Sequence, residues 1–458
     1  MEKSRIIKYE FYFHKKFGNL PQGWEVTNIG ESFDFFPTAS FSRSQLSETG
    51  DCGYVHYGDI HTKFHRFIDL EKDELPFVSD EMAKRFTKIE EGDLVIADAS
   101  EDYDGVGKAV EIINIQYKDV IAGLHTLHLR AKEKAFVNGF KGYLLNHEKV
   151  RLSILRSATG IKVYSVSKAG LRRILLPKPP KPEQTAIAAI LSKVDAAIEA
   201  TQNSIRAAEK LKKALMQNLL TGKLKPDGAW RTEDEFYVDE KFGKVPKGWN
   251  CGALSDISEV IAGQSPAGDT YNDEGKGVPI LNGPTEFTDY YPIPVQYTIK
   301  PTKICEIGDI LFTVRGSSTG RMNFADQEYC IGRGIAAIRA NEDSDNDFLY
   351  YTLVTIAHKI LAEAKGAGST FPNVNRGDLR KKKIIFPEAK IEQQEIGEKI
   401  RAFETKVQSK QGKIHTLQRL KKSLMQHLLT GKVRLPADVV AKLANGQDSM
   451  NNNISGQE

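Results

Sequence analysis

Residues 211–224 read LKKALMQNLLTGKL, and residues 420–433 read LKKSLMQHLLTGKV. Eleven of the fourteen positions are identical across an offset of 209 residues. The chain therefore carries an internal repeat, and a repeat fixes architecture before any local assignment does. Each stretch closes a longer amphipathic pattern. Working backwards, apolar residues stand at Ile187, Leu191, Val194, Ile198, Ile205, Ala208, Leu211, Leu215 and Leu219, and again at Ile396, Ile400, Phe403, Val407, Ile414, Leu417, Leu420, Leu424 and Leu428. Steps of three and four define one face of a helix and the seam of a coiled coil, interrupted once in each copy, at Thr201 and Lys410. Pro182 and Glu183 suit a first helical turn. Gly222 and Gly431 suit a C-terminal cap, with Pro226 and Pro436 just beyond. A helix from 183 to 220 spans about 57 Å at about 1.5 Å per residue. A lone apolar seam of that length would aggregate, so the two helices are expected to pack on each other, antiparallel, across a pseudo-twofold axis.

The repeat extends outward from the helices. EFYFHKKFGNLPQGW (10–24) returns as EFYVDEKFGKVPKGW (235–249), TKIEEGDLV (87–95) as TKICEIGDIL (302–311), and LRRILLP (171–177) as LRKKKIIFP (379–387). Between these landmarks the halves diverge: FSRSQLSETGDCGYVHYGDIHTKFHRF has no counterpart in GQSPAGDTYNDEGKGVPILNGPTEFTDYY. Short alternating strands such as DLVIAD, DILFTV and GIAAIRA, among Gly-, Asp- and Ser-rich turns, predict an α+β fold. The expected order is a globular domain (1–180), a long helix (181–224), a second globular domain (225–388), a second long helix (389–433) and a polar tail (434–458) expected to be disordered.

At 458 residues, with 40% hydrophobic and 27% charged side chains and no apolar run near the roughly 20 residues of a membrane span, the composition predicts a soluble multidomain protein. The first residues lack the apolar stretch of a secretory signal, which predicts a cytoplasmic location. A net charge of +4 permits a nucleic-acid partner without demanding one. Cys52, Cys251, Cys305 and Cys330 are scattered without CxxC spacing, against a disulfide framework or zinc ribbon.

Catalytic motifs are missing from the sequence. GVGKA (105–109) lacks the spacing of a phosphate loop, and no GxGxxG follows a strand. The pairs Glu363–Lys365 and Glu388–Lys390, the latter with Asp378 upstream, are the poor remainder of a nuclease pattern. Cys52, His56, His61 and His65 have ligand chemistry but no finger spacing, and His125 and His128 fall on opposite faces of a strand. The polar loops TVRGSSTGRM (313–322), GRG (332–334) and GSTFPNVNRGD (368–378), with DASEDYDGVGK (98–108) and SATGIKVYSVSK (157–168) in the first half, combine donors suited to phosphates and base edges with glycines that allow close approach.

Taken together, the duplicated FGxxPxGW openings, the GDIL strand followed by RGSSTG, the FPNVNRGDLRKKKIIFP exit, the PEQ and IEQQEI helix starts and the KKxLMQxLLTGK ends resemble the specificity subunit of Type I restriction-modification systems, from Glu10 to about Leu435. The resemblance implies two target recognition domains, each reading one half of a split DNA sequence, and paired helices that set the gap and dock two modification subunits. It implies that this chain has no catalytic site, metal or cofactor of its own. S-adenosylmethionine belongs to the modification partner, ATP and Mg to a separate motor-nuclease partner. The implied ligand is double-stranded DNA, not a membrane. The DNA-contacting candidates are Arg315, Ser317, Arg321, Arg333, Thr370, Asn373, Asn375 and Arg376 in the second half, and Tyr57, His61, Lys63, Lys108, Lys162 and Tyr164 in the first. The alternative left open by the residues is a non-catalytic scaffold whose duplicated domains bind proteins.

Overall fold

The structure is a computed structural model that describes residues 10–115, 119–366 and 372–452. Contacts divide it into two units that interleave along the chain: unit 1 holds Met1–Thr201 and Lys413–Glu458, and unit 2 holds Gln202–Gly412. The two long helices, Lys181–Leu219 and Lys390–Leu428, are therefore not separate domains; each gives its first half to one unit and its second half to the other. The consecutive segments expected from the sequence give way to this interleaved division.

Unit 1 is built on a five-stranded sheet in the order Phe33–Phe36, Thr126–Ala131, Leu94–Ala97, Ala109–Ile113, Phe67–Asp69. Its central strand is apolar throughout because both faces are covered. Leu94 and Ile96 enter one hydrophobic cluster, while Val95 and Ala97 enter another, as the two-residue period of a strand requires. Unit 2 repeats the design with Ser258–Ala262, Ile335–Ala340, Ile310–Thr313 and Met322–Phe324, where Ile310 and Phe312 face one cluster and Leu311 the other.

The repeated sequence landmarks do repeated jobs. In the Gly-Asp turn, Asp93 accepts the Glu90 amide (2.8 Å) and Arg130 Nε (3.0 Å); Asp309 accepts the Glu306 amide (2.8 Å) and Arg339 Nε (2.7 Å). Both carboxylates are buried, so a charge-assisted partner is what makes burial tolerable. The opening and closing motifs pair with each other: Glu25–Asn28 runs antiparallel to Leu175–Lys178, and Trp249–Ala253 to Lys383–Pro387. Each pair leads into a long helix, and the motif tryptophan fastens the joint. Trp24 Nε1 donates to Glu183 at 3.1 Å and Trp249 Nε1 to Glu392 at 3.1 Å, each carboxylate standing in its helix's first turn. Arg434 also binds Glu183 (3.1 Å), and Arg231 binds Glu392 (2.5 Å).

Within unit 1, Lys421 of the second long helix pairs with Asp195 of the first, while Arg434, beyond the second helix's end, reaches Glu183 near the first helix's start. Within unit 2, Lys212 pairs with Glu404 at 2.5 Å, and Ser204 accepts from Lys410 at 2.5 Å. As one residue number rises its partner's falls, so the half-helices in each unit run antiparallel, as expected. Ile187, Leu191, Ile205, Leu219, Ile396, Ile400, Val407 and Leu428 are buried; Val194, Ile198, Leu215, Phe403, Ile414, Leu417 and Leu424 are half-buried. Two seam positions are corrected. Leu211 and Leu420 are 53% and 46% exposed, and the next residues, Lys212 and Lys421, turn inward instead. One helical residue is a rotation of about 100°, and the buried stripe continues from Ile205 through Lys212, where a carboxylate waits, to Leu219.

Both helices stop earlier than expected, at Leu219 and Leu428. Gly222 and Gly431 follow with φ of +67°. A Cβ at these positions would meet Pro246 at 2.2 Å and Pro21 at 2.3 Å, so both the left-handed backbone and the close approach demand glycine. Part of the tail differs from expectation: Ala437–Asn452 forms a helix, in which Val439, Val440, Leu443 and Ala444 make a half-buried apolar face, while residues 453–458 lie outside the described residues. No helix among the described residues is long and apolar enough to cross a membrane.

Candidate nucleic-acid interface

In both units the variable loops gather at the same end of the central sheet, and one backbone joint locks them there. In unit 1 the Val166 amide donates to the Asp98 carbonyl (2.8 Å); in unit 2 the Val374 amide donates to the Val314 carbonyl (2.9 Å). The residue after each valine, Ser167 or Asn375, caps a short helix, Lys168–Arg172 or Arg376–Lys381. SATGIKVYSVSKAGL and FPNVNRGDL, which match only loosely as sequences, are thereby structural equivalents.

In unit 2 the joint brings 313–321 beside 372–376. Arg315 bridges to Asn373, and the Gly316 amide donates to the Pro372 carbonyl at 3.0 Å. The Val314 amide donates to the Gly334 carbonyl (2.9 Å), and the Arg333 amide to Ser265 Oγ (3.2 Å), so the GRG turn lies alongside. Arg315, Ser317, Arg333 and Asn373 expose side chains here. Three other candidates have internal work. Arg321 donates to the carbonyls of Pro284 (3.2 Å) and Phe287 (2.7 Å), Arg376 Nε donates to the Val260 carbonyl (2.8 Å), and Asn375 Oδ1 accepts the Asp378 amide (2.9 Å) as a helix cap. These side chains build the loops. Thr370 lies outside the described residues.

In unit 1 the equivalent loops carry different chemistry. Tyr57 lies within an aromatic group with His56 (4.7 Å between ring centres), His125 (5.2 Å) and His61 (5.9 Å). His61 Nε2 contacts the Ala99 carbonyl at 3.0 Å, and Lys108 Nζ donates to the His61 carbonyl at 3.2 Å. Burial, then nearby Arg151 and Arg66, hold the Lys108 ammonium below its usual range. Burial also lowers His56 and raises Asp98, which faces His125 at 3.5 Å. Tyr164 packs edge-on against Tyr103 at 5.1 Å, and exposed Lys162 stands two residues before it. The structure thus brings Tyr57, His61, Lys108, Lys162 and Tyr164 to one edge. Lys63 is held by buried Asp59 (3.4 Å), which also binds Arg43 at 2.8 Å. His125, with φ of +53° just before its strand, belongs to this edge and escaped the sequence reading, which treated it as a strand residue. His128 is buried against Asp93 at 2.7 Å.

The residues considered for other chemistry have structural roles. Cys52 Sγ accepts from Lys88 (3.4 Å), His56 caps the helix Tyr57–Thr62, Glu363 binds Lys382 (2.6 Å), and Lys390 reaches the Glu342 carbonyl (2.5 Å). Among the described residues, no group of three or more His, Cys, Asp or Glu side chains is placed to hold a metal ion.

Two globular units with constant frames and unlike loop edges, joined through shared long helices, define a duplicated recognition protein. The chain belongs to the family of the Type I restriction modification DNA specificity domain, whose model matches residues 21–210 and 246–419. It is 30% identical over 442 residues to the putative type I restriction enzyme MjaX specificity subunit of Methanocaldococcus jannaschii, covering 94% of this chain and 99% of that one. It is 24% identical over 450 residues to the MjaVIII specificity subunit of the same organism, with 94% and 99% covered. The fold resembles the crystal structure of a Type I restriction-modification S subunit from M. genitalium, with a TM-score of 0.55 at 16% identity over 88% of this chain and 96% of that one.

Proposed function

We propose that this chain selects the DNA on which a Type I restriction-modification complex acts, each unit reading one half of a bipartite, asymmetric site. The observation that carries this is the shared joint. Val166–Asp98 and Val374–Val314 fix two loop edges in the same frame, yet one edge presents tyrosine, histidine and lysine and the other arginine, serine and asparagine. Equal frames with unequal side chains are what two unlike half-sites require. Arg at a major-groove edge selects guanine and Asn selects adenine, while lysines position the backbone. The long helices then set the unspecified gap, and their duplicated outer surfaces dock two modification subunits, which bring S-adenosylmethionine and extrude the target adenine. Motor-nuclease subunits with ATP and Mg complete the restriction complex, which acts in the cytoplasm.

Co-purifying the chain with its modification subunit and sequencing the duplexes it enriches from a random pool tests the proposal. An asymmetric two-part motif with a fixed gap is the expected result; a well-assembled complex that enriches nothing at moderate salt would reject it.

A further inference from the structure

The loop edge of unit 1 ends in a hairpin tip, and the tip is apolar. Thr159 and Ser165 exchange two backbone hydrogen bonds (2.9 and 2.8 Å), closing a tight turn through Gly160, whose φ is +125°. A Cβ at Gly160 would lie 2.0 Å from the Val163 carbonyl oxygen, so the turn is as tight as glycine allows. Ile161 at its apex is 92% exposed and Val163 53% exposed, with exposed Lys162 between them. The stem is braced. Tyr164 and Ser165 pair with Ser100 and Ala99, Tyr164 packs on Tyr103, and the Tyr103 hydroxyl donates to the Leu155 carbonyl at 3.0 Å. Two β-branched side chains are thus held in water on a stiff support, on the same edge as Tyr57, His61 and Lys108. The apex of this edge therefore offers aliphatic side chains, on either side of Lys162, to whatever the edge meets.

Resting on the DNA-reading function proposed above, we propose that the Ile161–Val163 tip is a wedge that enters the base stack of the half-site read by unit 1 and unstacks one step. Apolar wedges on a rigid support part base steps in this way, and the energy of unstacking depends on the step, so the wedge selects sequence without a hydrogen bond to a base. The neighbouring charges fit this placement. Lys162 is set to meet a phosphate beside the parted step. Exposed Glu101, Asp102 and Asp104 on the adjoining loop repel phosphates, so that loop stands off the backbone and leaves the approach to the tip.

The test uses the complete chain in complex with its modification subunit, on the enriched duplex with 2-aminopurine substituted in turn along both half-sites. Its fluorescence rises when a base loses its neighbours. The expected result is a rise at one step in addition to the methylated adenine. Ile161→Ser with Val163→Ser should abolish that extra rise and weaken selection at that step while leaving the signal at the methylated adenine intact. Specific binding without an extra rise, or an extra rise that persists in the double variant, overturns the wedge. Loss of assembly with the modification subunit in the double variant makes the tip a protein contact and overturns it too. Failure of the wild-type complex to select any duplex instead removes the DNA-reading function on which the wedge rests.

Discussion

Lys212 donates to Glu404 at 2.5 Å, and the same carboxylate accepts the Tyr351 hydroxyl at 2.7 Å. The repeat reproduces the arrangement with Lys421, Asp195 and Tyr143, the tyrosine hydroxyl lying 2.8 Å from Asp195. In both units a carboxylate on one long helix ties together a lysine of the other and a tyrosine of the globular domain.

Glu404→Ala should cost about 1–3 kcal/mol, because it strands two donors at once. Lys212→Met should cost less, since Glu404 keeps Tyr351. Urea midpoints measure the difference, and equal losses would show that the carboxylate is not the common tie.

Acid should loosen unit 1 through His147. This side chain is buried, caps the helix Glu148–Leu155, and is held by burial at a pKa of about 4, well under the usual 6.5. The unfolded chain therefore takes up the proton first. Stability from this group is complete above pH 6.5 and is lost as pH falls from 6.5 towards 4, by at most about 3 kcal/mol. His147→Asn keeps a capping oxygen and removes the proton, so its melting temperature should fall less over that window. An unchanged slope would place the dependence elsewhere.

The arginines of unit 2 should divide into two groups. Arg315→Ala and Arg333→Ala should leave thermal stability unchanged and weaken selection, by about 1–3 kcal/mol for each lost base contact or with a shallower salt dependence for a phosphate contact. Arg321→Ala and Arg376→Ala should lower the melting temperature, because each abandons backbone carbonyls in the loop frame. A melting loss at Arg315 or Arg333 would contradict this division.

Partner docking is best tested at the outward leucines. Leu215 and Leu424 pack against their units' cores, so a charge there would damage the fold and reveal nothing about assembly. Leu211→Glu and Leu420→Glu should each reduce the number of modification subunits bound, measured by native mass spectrometry, with little change in melting. Full occupancy in the paired variant would remove these surfaces from the interface.

The long helices, the doubled α+β frame and the glycine caps were legible because each rests on local patterning or on identity between the copies. The inward turn of Lys212 and Lys421 was not, since a lysine in an apolar stripe makes sense only once Glu404 and Asp195, from remote sequence, stand opposite. The same limit hid the work of Arg321, Asn375 and Arg376, whose partners are backbone groups up to 116 residues away. Their residue types suited DNA, and residue type alone gave no sign of the internal hydrogen bonds they also make. Val166 and Val374 could be matched only through their hydrogen bonds, because the intervening loops share almost no letters.

The interleaving of the units also fixes an order of events during synthesis. Unit 2 is one continuous stretch, whereas the core of unit 1 is completed by Met425, Leu428 and Leu429. A nascent chain leaving the ribosome thus presents its first unit early with one wall missing, and can close the second before the first. Until the end of the second long helix emerges, Trp24 and Leu191 wait beside an open seam, and the first unit exposes apolar surface that the finished chain buries.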